Sequence, residues 1–222
     1  MIRAAIFDAY GTLLDPVAPV ERHAARVGHQ WREFARLWRQ KQLEYSWVRS
    51  MVGPGAHRDF NRLTREALGF AASSLGIIDQ DLLDTLERAW RDLPAYPEVT
   101  EALNQLRLAG IARAVLSNGE PRMLAEQIRN ARLTALLDDV LSVEAVGVFK
   151  PDPRVYRLAV DRFGLRPAEI AFISANPWDV FGAHAFGCRA IHLNRLMVPD
   201  EYGLADSVRT LPDLTRLSDL LA

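Results

Sequence analysis

The sequence predicts an α/β fold, in which helices cover a parallel sheet and a block of helices is inserted after the first strand. Two observations carry this prediction. After residue 97, strand-like apolar runs alternate with segments whose apolar residues recur at helical spacing. Between residues 16 and 94 the apolar residues follow helical spacing alone. We therefore expect an α/β core domain made of residues 1–15 and 95–222, and a helical cap domain made of residues 16–94.

The first strand is predicted from the apolar run Ile2–Phe7, and Gly11 ends it by favouring a turn. This places Asp8 at the carboxyl end of a strand, where open α/β sheets bind their ligands. An aspartate that merely caps a turn is the simpler alternative. In the inserted block, the apolar spacing predicts helices at Val20–Val27, Trp31–Met51, Asp59–Ser74 and Gln80–Arg91.

The remainder of the chain alternates between helix and strand. A helix begins after Pro97, and Gly110 ends it. Right-handed crossovers between parallel strands bring the carboxyl ends of those strands to one edge of the sheet. The predicted helices are Val99–Leu108, Arg122–Asn130, Arg154–Phe163 and Pro177–Phe186, and the predicted strands are Ile111–Leu116, Val140–Val143, Ile170–Ile173 and Arg189–Leu193.

The composition is that of an ordinary globular protein, with 49% hydrophobic and 25% charged residues. A net charge of −1 gives the whole protein no electrostatic attraction for nucleic acid or an anionic membrane. The single cysteine, Cys188, cannot form an internal disulfide, which favours a reducing compartment. The apolar runs are too short to span a bilayer, and the N-terminal residues lack a signal-peptide pattern. We therefore expect a cytoplasmic protein without a nucleic-acid or membrane partner.

Polar residues cluster at the predicted carboxyl ends of the strands. Each cluster has a simpler explanation by itself: Ser117-Asn118-Gly119 is a favourable turn, and Asp152 and Ser174 can cap helices. One site at the shared edge explains all the clusters together. The candidate residues are Asp8, Thr12, Ser117, Asn118, Lys150, Ser174, Asn176 and Asp179.

These clusters resemble, in order and spacing, the four motifs of the haloacid dehalogenase superfamily, which implies a Rossmann-like core with an inserted helical cap. Most of that superfamily are phosphatases, which have an acidic proton donor where Tyr10 stands here and a Mg²⁺ carboxylate where Ala175 stands. A phenol with a pKa of about 10 donates a proton poorly at neutral pH. A methyl group cannot bind a hard cation. A phosphatase acting on a small phosphate ester stays the alternative, and it would need replacements for both groups.

The chain looks more like the L-2-haloacid dehalogenase branch of that superfamily. A halide leaves as a stable anion, so this reaction needs neither a proton donor nor Mg²⁺. The resemblance covers nearly the whole length, from Ile2 to about Arg195. The similar stretches are Trp38–Arg49, Leu116–Gly119, Phe149–Pro151 through Val155-Tyr156, and Asn176–Asp179.

The resemblance implies hydrolysis of short-chain (S)-2-haloacids to (R)-2-hydroxyacids and halide, with inversion at C2 and without a cofactor or metal. Asp8 would attack C2 and form an ester, while Lys150 keeps Asp8 ionised and Thr12 orients it. The substrate carboxylate would be bound by Ser117 and the backbone amide of Ala9, and the departing halide by Arg39 and Asn118. The implied pocket wall consists of Tyr10, Gln40, Leu43, Phe60 and Trp178.

The second step of the implied mechanism hydrolyses the ester, with Asp179 as the base. Ser174 and Asn176 would place the water, and Tyr156 would steady Lys150 among the carboxylates. Because coupled groups titrate together, the sequence leaves open which of Asp179, Lys150 and Asn176 activates the water. The resemblance also implies a homodimer whose only other partners are the 2-haloacid and water.

Two further observations qualify the resemblance. Residues 39, 40, 43 and 47 share one helical face, a pattern that by itself predicts a solvated basic surface beside a core stripe. The segment Met51–Arg58, which precedes Phe60 of the implied wall, is longer and richer in glycine and proline than in the branch. A non-catalytic relative is the second alternative, but it would have lost part of the catalytic set, which is complete here.

Overall fold

The computed structural model describes residues 1–221 and has the α/β fold expected from the sequence. The strands are β1 (Ala4–Phe7), β2 (Ala112–Ser117), β3 (Asp139–Ser142), β4 (Ile170–Ser174), β5 (Arg189–Leu193) and β6 (Arg209–Leu211). Within residues 1–221 they form one six-stranded sheet in the order β3-β2-β1-β4-β5-β6. Each neighbouring pair is parallel.

The strand order places Asp8 at the centre of one edge of the sheet. Phe7, the last residue of β1, pairs with Val115 of β2 on one side and with Ile173 of β4 on the other. The strand numbers rise outwards in both directions from β1, so right-handed crossovers leave β1 towards opposite sides. The direction of winding therefore reverses between β1 and β4, and the crevice at such a reversal is where open α/β sheets bind ligands.

Helices surround the sheet, and several of them begin at an acidic capping residue. The Asp152 carboxylate accepts a hydrogen bond from the Arg154 amide, directly before Pro153, and Asp59 caps its helix in the same way. The helices are α1 (Ala18–Arg22), α2 (Ala24–Val27), α3 (Trp31–Val52), α4 (Phe60–Ser74), α5 (Gln80–Ala89), α6 (Val99–Leu108), α7 (Pro121–Asn130), α8 (Pro153–Phe163), α9 (Pro177–Phe186) and α10 (Leu217–Leu221).

Helices α1–α5 lie between β1 and α6 in the chain, as the helical spacing predicted. The chain leaves and re-enters the sheet region at one place, because the Asp15 amide donates to the Pro94 carbonyl (2.9 Å) and the Tyr96 amide donates to the Leu13 carbonyl (3.0 Å). The division into a core and a cap domain at these residues stays a prediction.

The two long inserted helices, α3 and α4, are joined through buried polar contacts. The Trp38 indole donates to the Thr64 carbonyl (2.8 Å), and the Gln42 amide donates to the Thr64 hydroxyl (3.1 Å). Gln42 is fully buried, so its amide is satisfied inside the packed pair. These bonds hold α3 in one rotation about its own axis.

The structure differs from the predicted helices and strands mainly in two places. The helix expected over Val20–Val27 is divided at His23, whose φ of −112° and ψ of 18° interrupt the helix between α1 and α2. Strand β6 and helix α10 follow the last predicted element and were not anticipated. Within residues 1–221, none of the helices has the length and apolar character needed to cross a membrane.

Candidate active site

Asp8 is the centre of a buried hydrogen-bond cluster. Its carboxylate accepts three hydrogen bonds. Oδ1 accepts one from Lys150 Nζ (3.1 Å), and Oδ2 accepts one from Asn176 Nδ2 (2.8 Å) and one from Thr12 Oγ1 (3.2 Å). The residue is only 4% exposed. Gly11 makes the turn that brings Thr12 back to Asp8, at a φ of 88° that favours glycine. A buried carboxylate with a lysine beside it is a suitable nucleophile.

Lys150 joins Asp8 to a second buried carboxylate. Its Nζ also donates to Asp179 Oδ2 at 2.8 Å, and both Lys150 and Asp179 are fully buried. Burial lowers the pKa of Lys150, but the carboxylates of Asp179 and Asp8 raise it more, so the net pKa lies above the ordinary value. Lys150 is therefore positively charged at neutral pH.

Asp179 lies in the first turn of α9 and has the titration behaviour of a general base. Burial raises the pKa of Asp179 to about 6, with the Asp8 charge adding to the rise and Lys150 opposing it. Tyr156 Oη donates to its Oδ1 at 2.8 Å. A carboxylate with this pKa is mostly ionised at neutral pH and can still take up a proton from water.

The loop after β4 is tied to the Asp8 turn. The Ala175 amide donates to Thr12 Oγ1 (2.9 Å), and the Asn176 amide donates to Ser174 Oγ (3.1 Å). Asn176 Nδ2, besides its bond to Asp8, donates to the Tyr10 carbonyl at 3.2 Å. The structure thus shows Ser174 and Asn176 as groups that shape the cluster, and their expected part in placing water stays a prediction.

Ser117 and Asn118 follow β2 and approach the site from its other side. Ser117 Oγ accepts a hydrogen bond from the Gly119 amide (3.1 Å), which leaves its hydroxyl hydrogen to donate to a ligand. Asn118 Oδ1 accepts from the Lys150 amide (3.0 Å), which likewise leaves its NH₂ group. Both side chains are at least 96% buried, since Ser117 is 0% and Asn118 4% exposed.

Arg39 is contributed by α3, from outside the sheet. Its guanidinium carbon lies 5.5 Å from the centre of the Tyr10 ring, and its Nη1 donates to Gln42 at 3.3 Å. Burial lowers the pKa of Arg39, and the negative charges of Asp8 and Asp179 partly oppose this. A guanidinium stays charged in proteins, so Arg39 brings a second positive charge to the cluster.

Comparison with known proteins shows which family the chain belongs to. A model of the haloacid dehalogenase-like hydrolases matches residues 2–187. The chain belongs to this family. The resemblance inferred from the motifs is thereby confirmed, and the enzyme class is that of a hydrolase.

Curated members of the family are similar over their full length. The chain is 45% identical to (S)-2-haloacid dehalogenase 1 of Pseudomonas sp. (strain CBS-3), across 99% of this chain and 96% of that protein. It is 43% identical to (S)-2-haloacid dehalogenase 4A of Burkholderia cepacia, across 100% of this chain and 95% of that protein.

A solved structure also agrees closely. It is the L-2-haloacid dehalogenase of Xanthobacter autotrophicus with chloropropionic acid covalently bound, at a TM-score of 0.89 and 36% identity, across 100% of this chain and 98% of that chain. A phosphatase of the same superfamily from Thermococcus onnurineus matches at a TM-score of 0.66 and 21% identity, which shows a shared fold alone.

Two of the predicted wall residues, Tyr10 and Phe60, pack against each other beside the Asp8 turn. Phe60 is buried and stacks on Tyr10 with 5.6 Å between ring centres. Trp178 is half-buried and meets Trp47 of α3 edge to face at 5.3 Å. Leu43 is half-buried on α3, and the Ala9 amide follows Asp8 directly.

Gln40 is the exception among the predicted wall residues. Its side chain is exposed and accepts a hydrogen bond from Arg36 Nη1 at 3.0 Å. Each residue of a helix is rotated by about 100° from the one before it, so the rotation of α3 that turns Arg39 inwards turns Gln40 to solvent. The side chain of Gln40 therefore faces solvent in this structure, and its place in the pocket wall stays a prediction.

Two residues that the sequence did not single out support the site. Arg195 donates to the carbonyls of Gly11 (3.2 Å) and Thr12 (2.8 Å), and so grips the turn that follows Asp8. Gln127 accepts from the Tyr10 hydroxyl at 3.0 Å and donates to the Trp90 carbonyl at 2.7 Å. Gln127 could have been noticed as a polar residue at an apolar position of α7. No feature of the sequence marked Arg195.

Proposed function

We propose that this hydrolase is a dehalogenase that converts short-chain (S)-2-haloacids to (R)-2-hydroxyacids and halide through an ester on Asp8. The observation that carries the proposal is the buried trio in which Lys150 bonds both Asp8 and Asp179, at 3.1 and 2.8 Å. It supplies a nucleophile for one step and a base for the next. The names of the relatives, and the covalently bound chloropropionic acid in one of them, support the same chemistry.

The first step is a displacement at C2. An oxygen of the Asp8 carboxylate forms a bond to C2 as the carbon–halogen bond breaks, and the halide leaves with the bonding electrons. The hydroxyl of Ser117 and the backbone amide of Ala9 bind the substrate carboxylate, whose charge Asp8 would otherwise repel. Arg39 and the NH₂ group of Asn118 receive the halide, where negative charge develops.

The second step is hydrolysis of the ester. Water attacks the carbonyl carbon of the Asp8 ester as Asp179 takes a proton from it. The bond from that carbon to the hydroxy-acid oxygen then breaks, and the departing oxygen receives the proton. In the free enzyme, the negative charge of Asp8 contributes to the raised pKa of Asp179. Esterification removes this charge, so the pKa of Asp179 falls. Asp179 is therefore ionised more fully once the ester has formed, when a base is needed.

The stereochemical outcome follows from these two steps. Displacement inverts C2, and hydrolysis at the carbonyl carbon leaves C2 unchanged, so the net result is inversion. Three anchored directions around C2, set by Asp8, by the carboxylate site and by the halide site, leave one place for the remaining substituent. One enantiomer is therefore used, and the choice of (S) rests on the relatives.

Phosphate-ester hydrolysis is not favoured by the residues at the corresponding positions. Burial raises the pKa of Tyr10 well above its ordinary value, which makes this phenol a still poorer proton donor. Ala175 carries a methyl group where those enzymes bind Mg²⁺. We expect turnover that needs no divalent ion.

We also propose that residues 16–94 act as a cap over the site, and that the enzyme is a cytoplasmic homodimer. The adjacent bonds at Asp15–Pro94 and Leu13–Tyr96 support a hinge-like attachment of the cap. Burial raises the pKa of the Cys188 thiol to about 12, so this cysteine is unreactive and compatible with a reducing compartment. The dimer rests on the resemblance alone, and sedimentation equilibrium of the purified protein tests it.

The activity is tested by measuring halide release from the separate enantiomers of 2-chloropropanoate by ion chromatography. We expect release from the (S) enantiomer with (R)-lactate as the product on a chiral column. Asp8→Asn is the matched inactive control, because the amide keeps the size of the side chain and removes the nucleophile. Racemic lactate, equal use of both enantiomers, or hydrolysis of an aryl phosphate in place of halide release would contradict the proposal.

A further inference from the structure

Gly182 lies inside helix α9, one turn after Asp179. Glycine weakens a helix interior relative to alanine, so its presence there needs a local reason. Two neighbours provide one: a Cβ atom added at this position would lie 2.5 Å from Tyr156 Oη and 2.6 Å from Pro151 Cβ. Both distances are shorter than real Cβ contacts, so one of the neighbours would have to move.

Tyr156 has little room to retreat from such a contact. It is 1% exposed, and its ring packs against Phe172 (5.4 Å between ring centres) and Phe186 (5.9 Å). Pro151 is exposed, but it directly follows the fully buried Lys150, so a displacement of Pro151 would act on the backbone of Lys150. A side chain at position 182 would therefore displace groups that belong to the site.

These two neighbours lead to the two groups that hold Asp179. Tyr156 Oη donates to Asp179 Oδ1 at 2.8 Å, and Lys150 Nζ donates to Asp179 Oδ2 at 2.8 Å. We infer that Gly182 is a positioning residue for ester hydrolysis: its missing side chain lets Tyr156 and Pro151-Lys150 approach α9 closely enough to hold Asp179. This inference rests on the proposed function, in which Asp179 activates the water.

The charged and titratable groups around Asp179 determine what a side chain at 182 would change. Lys150, Asp8 and Tyr156 face it from the loop before α8, from the end of β1 and from α8, and Arg39 acts on it from α3. Lys150 and the Tyr156 bond lower the pKa of Asp179, while burial and Asp8 raise it. Moving Lys150 and Tyr156 away from Asp179 therefore raises the pKa of Asp179 and reduces its ionised fraction.

The experiment compares Gly182→Ala with Gly69→Ala. Gly69 lies on the exposed side of α4 with no atom within 4 Å of an added Cβ, so it makes the same chemical change without a contact. We expect the steady-state turnover of Gly182→Ala to fall by about tenfold at about pH 5 and by little at about pH 8. Its first halide release should fall less, because Asp8 keeps the bonds from Thr12 and Asn176. A tenfold loss is the change in ionised fraction produced by one pKa unit.

Two further readouts separate positioning from general structure. The ester should accumulate on the Asp8 peptide of Gly182→Ala, seen as added mass after acid quenching, and the acid limb of its pH–rate profile should move to higher pH. Gly69→Ala should show neither effect. On a Tyr156→Phe background, which already lacks the bond to Asp179, adding Gly182→Ala should move the limb much less.

Each outcome decides a separate point. A wild-type enzyme that releases no halide refutes the proposed function. A wild-type enzyme that works, with Gly182→Ala matching its pH profile and accumulating no ester, refutes the role of Gly182. If Gly182→Ala is insoluble, recovery of soluble protein on adding Tyr156→Phe supports the inference, because the hydroxyl at 2.5 Å is then gone. If Gly182→Ala and the double variant with Tyr156→Phe are both insoluble, Gly182 has a packing role in place of a positioning role, and the inference is overturned.

Discussion

Replacing Asp179 by asparagine should stop turnover, and the stability of the variant relative to the wild type should increase as the pH rises. Burial raises the pKa of Asp179 from 3.8 to about 6. The folded state therefore binds this proton more tightly than the unfolded chain. A raised carboxyl pKa favours folding at low pH, and that contribution is lost as the pH rises from about 4 to about 6.

The magnitude follows from the size of the shift. The pKa rise is about two units, and one unit corresponds to about 1.4 kcal/mol. The free energy of unfolding of Asp179→Asn, minus that of the wild type, should therefore increase by about 3 kcal/mol between about pH 3 and about pH 8. Following this difference across pH cancels any cost of the substitution that does not depend on pH. Such a cost is expected, because the asparagine side chain can accept a hydrogen bond from only one of Lys150 and Tyr156.

Urea unfolding of both proteins at several pH values measures this difference. Asp161→Asn, on the exposed side of α8, makes the same chemical change at the surface and should stay within about 0.5 kcal/mol of the wild type. With substrate, Asp179→Asn should retain the ester on Asp8. A difference that is flat or falls with pH would refute the reasoning, because it would show that Lys150 outweighs the burial of Asp179.

Three further predictions concern the chemistry. Arg39→Ala should lower kcat by about 10²–10³-fold, the usual loss for one contact to developing charge. The control Arg36→Ala, on the exposed side of the same helix, should keep near-wild-type activity. Equal activity of the two variants would contradict a role of Arg39 in binding the halide. Exhaustive chelation should leave halide release unchanged, and loss of activity that Mg²⁺ restores would contradict the assignment. In a single turnover with excess enzyme in ¹⁸O-labelled water, the hydroxy acid should be unlabelled and the label should be found in the Asp8 peptide by mass spectrometry; label directly in the product would indicate attack by water on C2.

Local sequence determined most of the secondary structure. The period of the apolar residues predicted α3 and α4, and prolines beside capping acids marked the start of α8, because these signals act within a few residues. The interruption at His23, and the elements β6 and α10, were not foreseen. A three-residue strand and short helices carry too few residues for periodicity to distinguish them.

The candidate residues of the site were also visible locally, since each follows a predicted strand or lies in a recognisable motif. The contacts between these residues could not be predicted from the sequence. Asp8 and Asp179 share Lys150 only because the strand order places β1 beside β4. The raised pKa of Asp179 depends on its complete burial among these neighbours, which is a property of the folded environment.

By itself, the sequence determined the alternation of strands and helices, the motif residues and the replacement of acidic residues by Tyr10 and Ala175. The tertiary structure alone decided that α3 turns Arg39 inwards and Gln40 outwards, and that Gly182 leaves room for Tyr156. The physical reason is range. Propensity, capping and periodicity act between neighbours along the chain, whereas burial, electrostatics and steric contact depend on segments that meet only after folding.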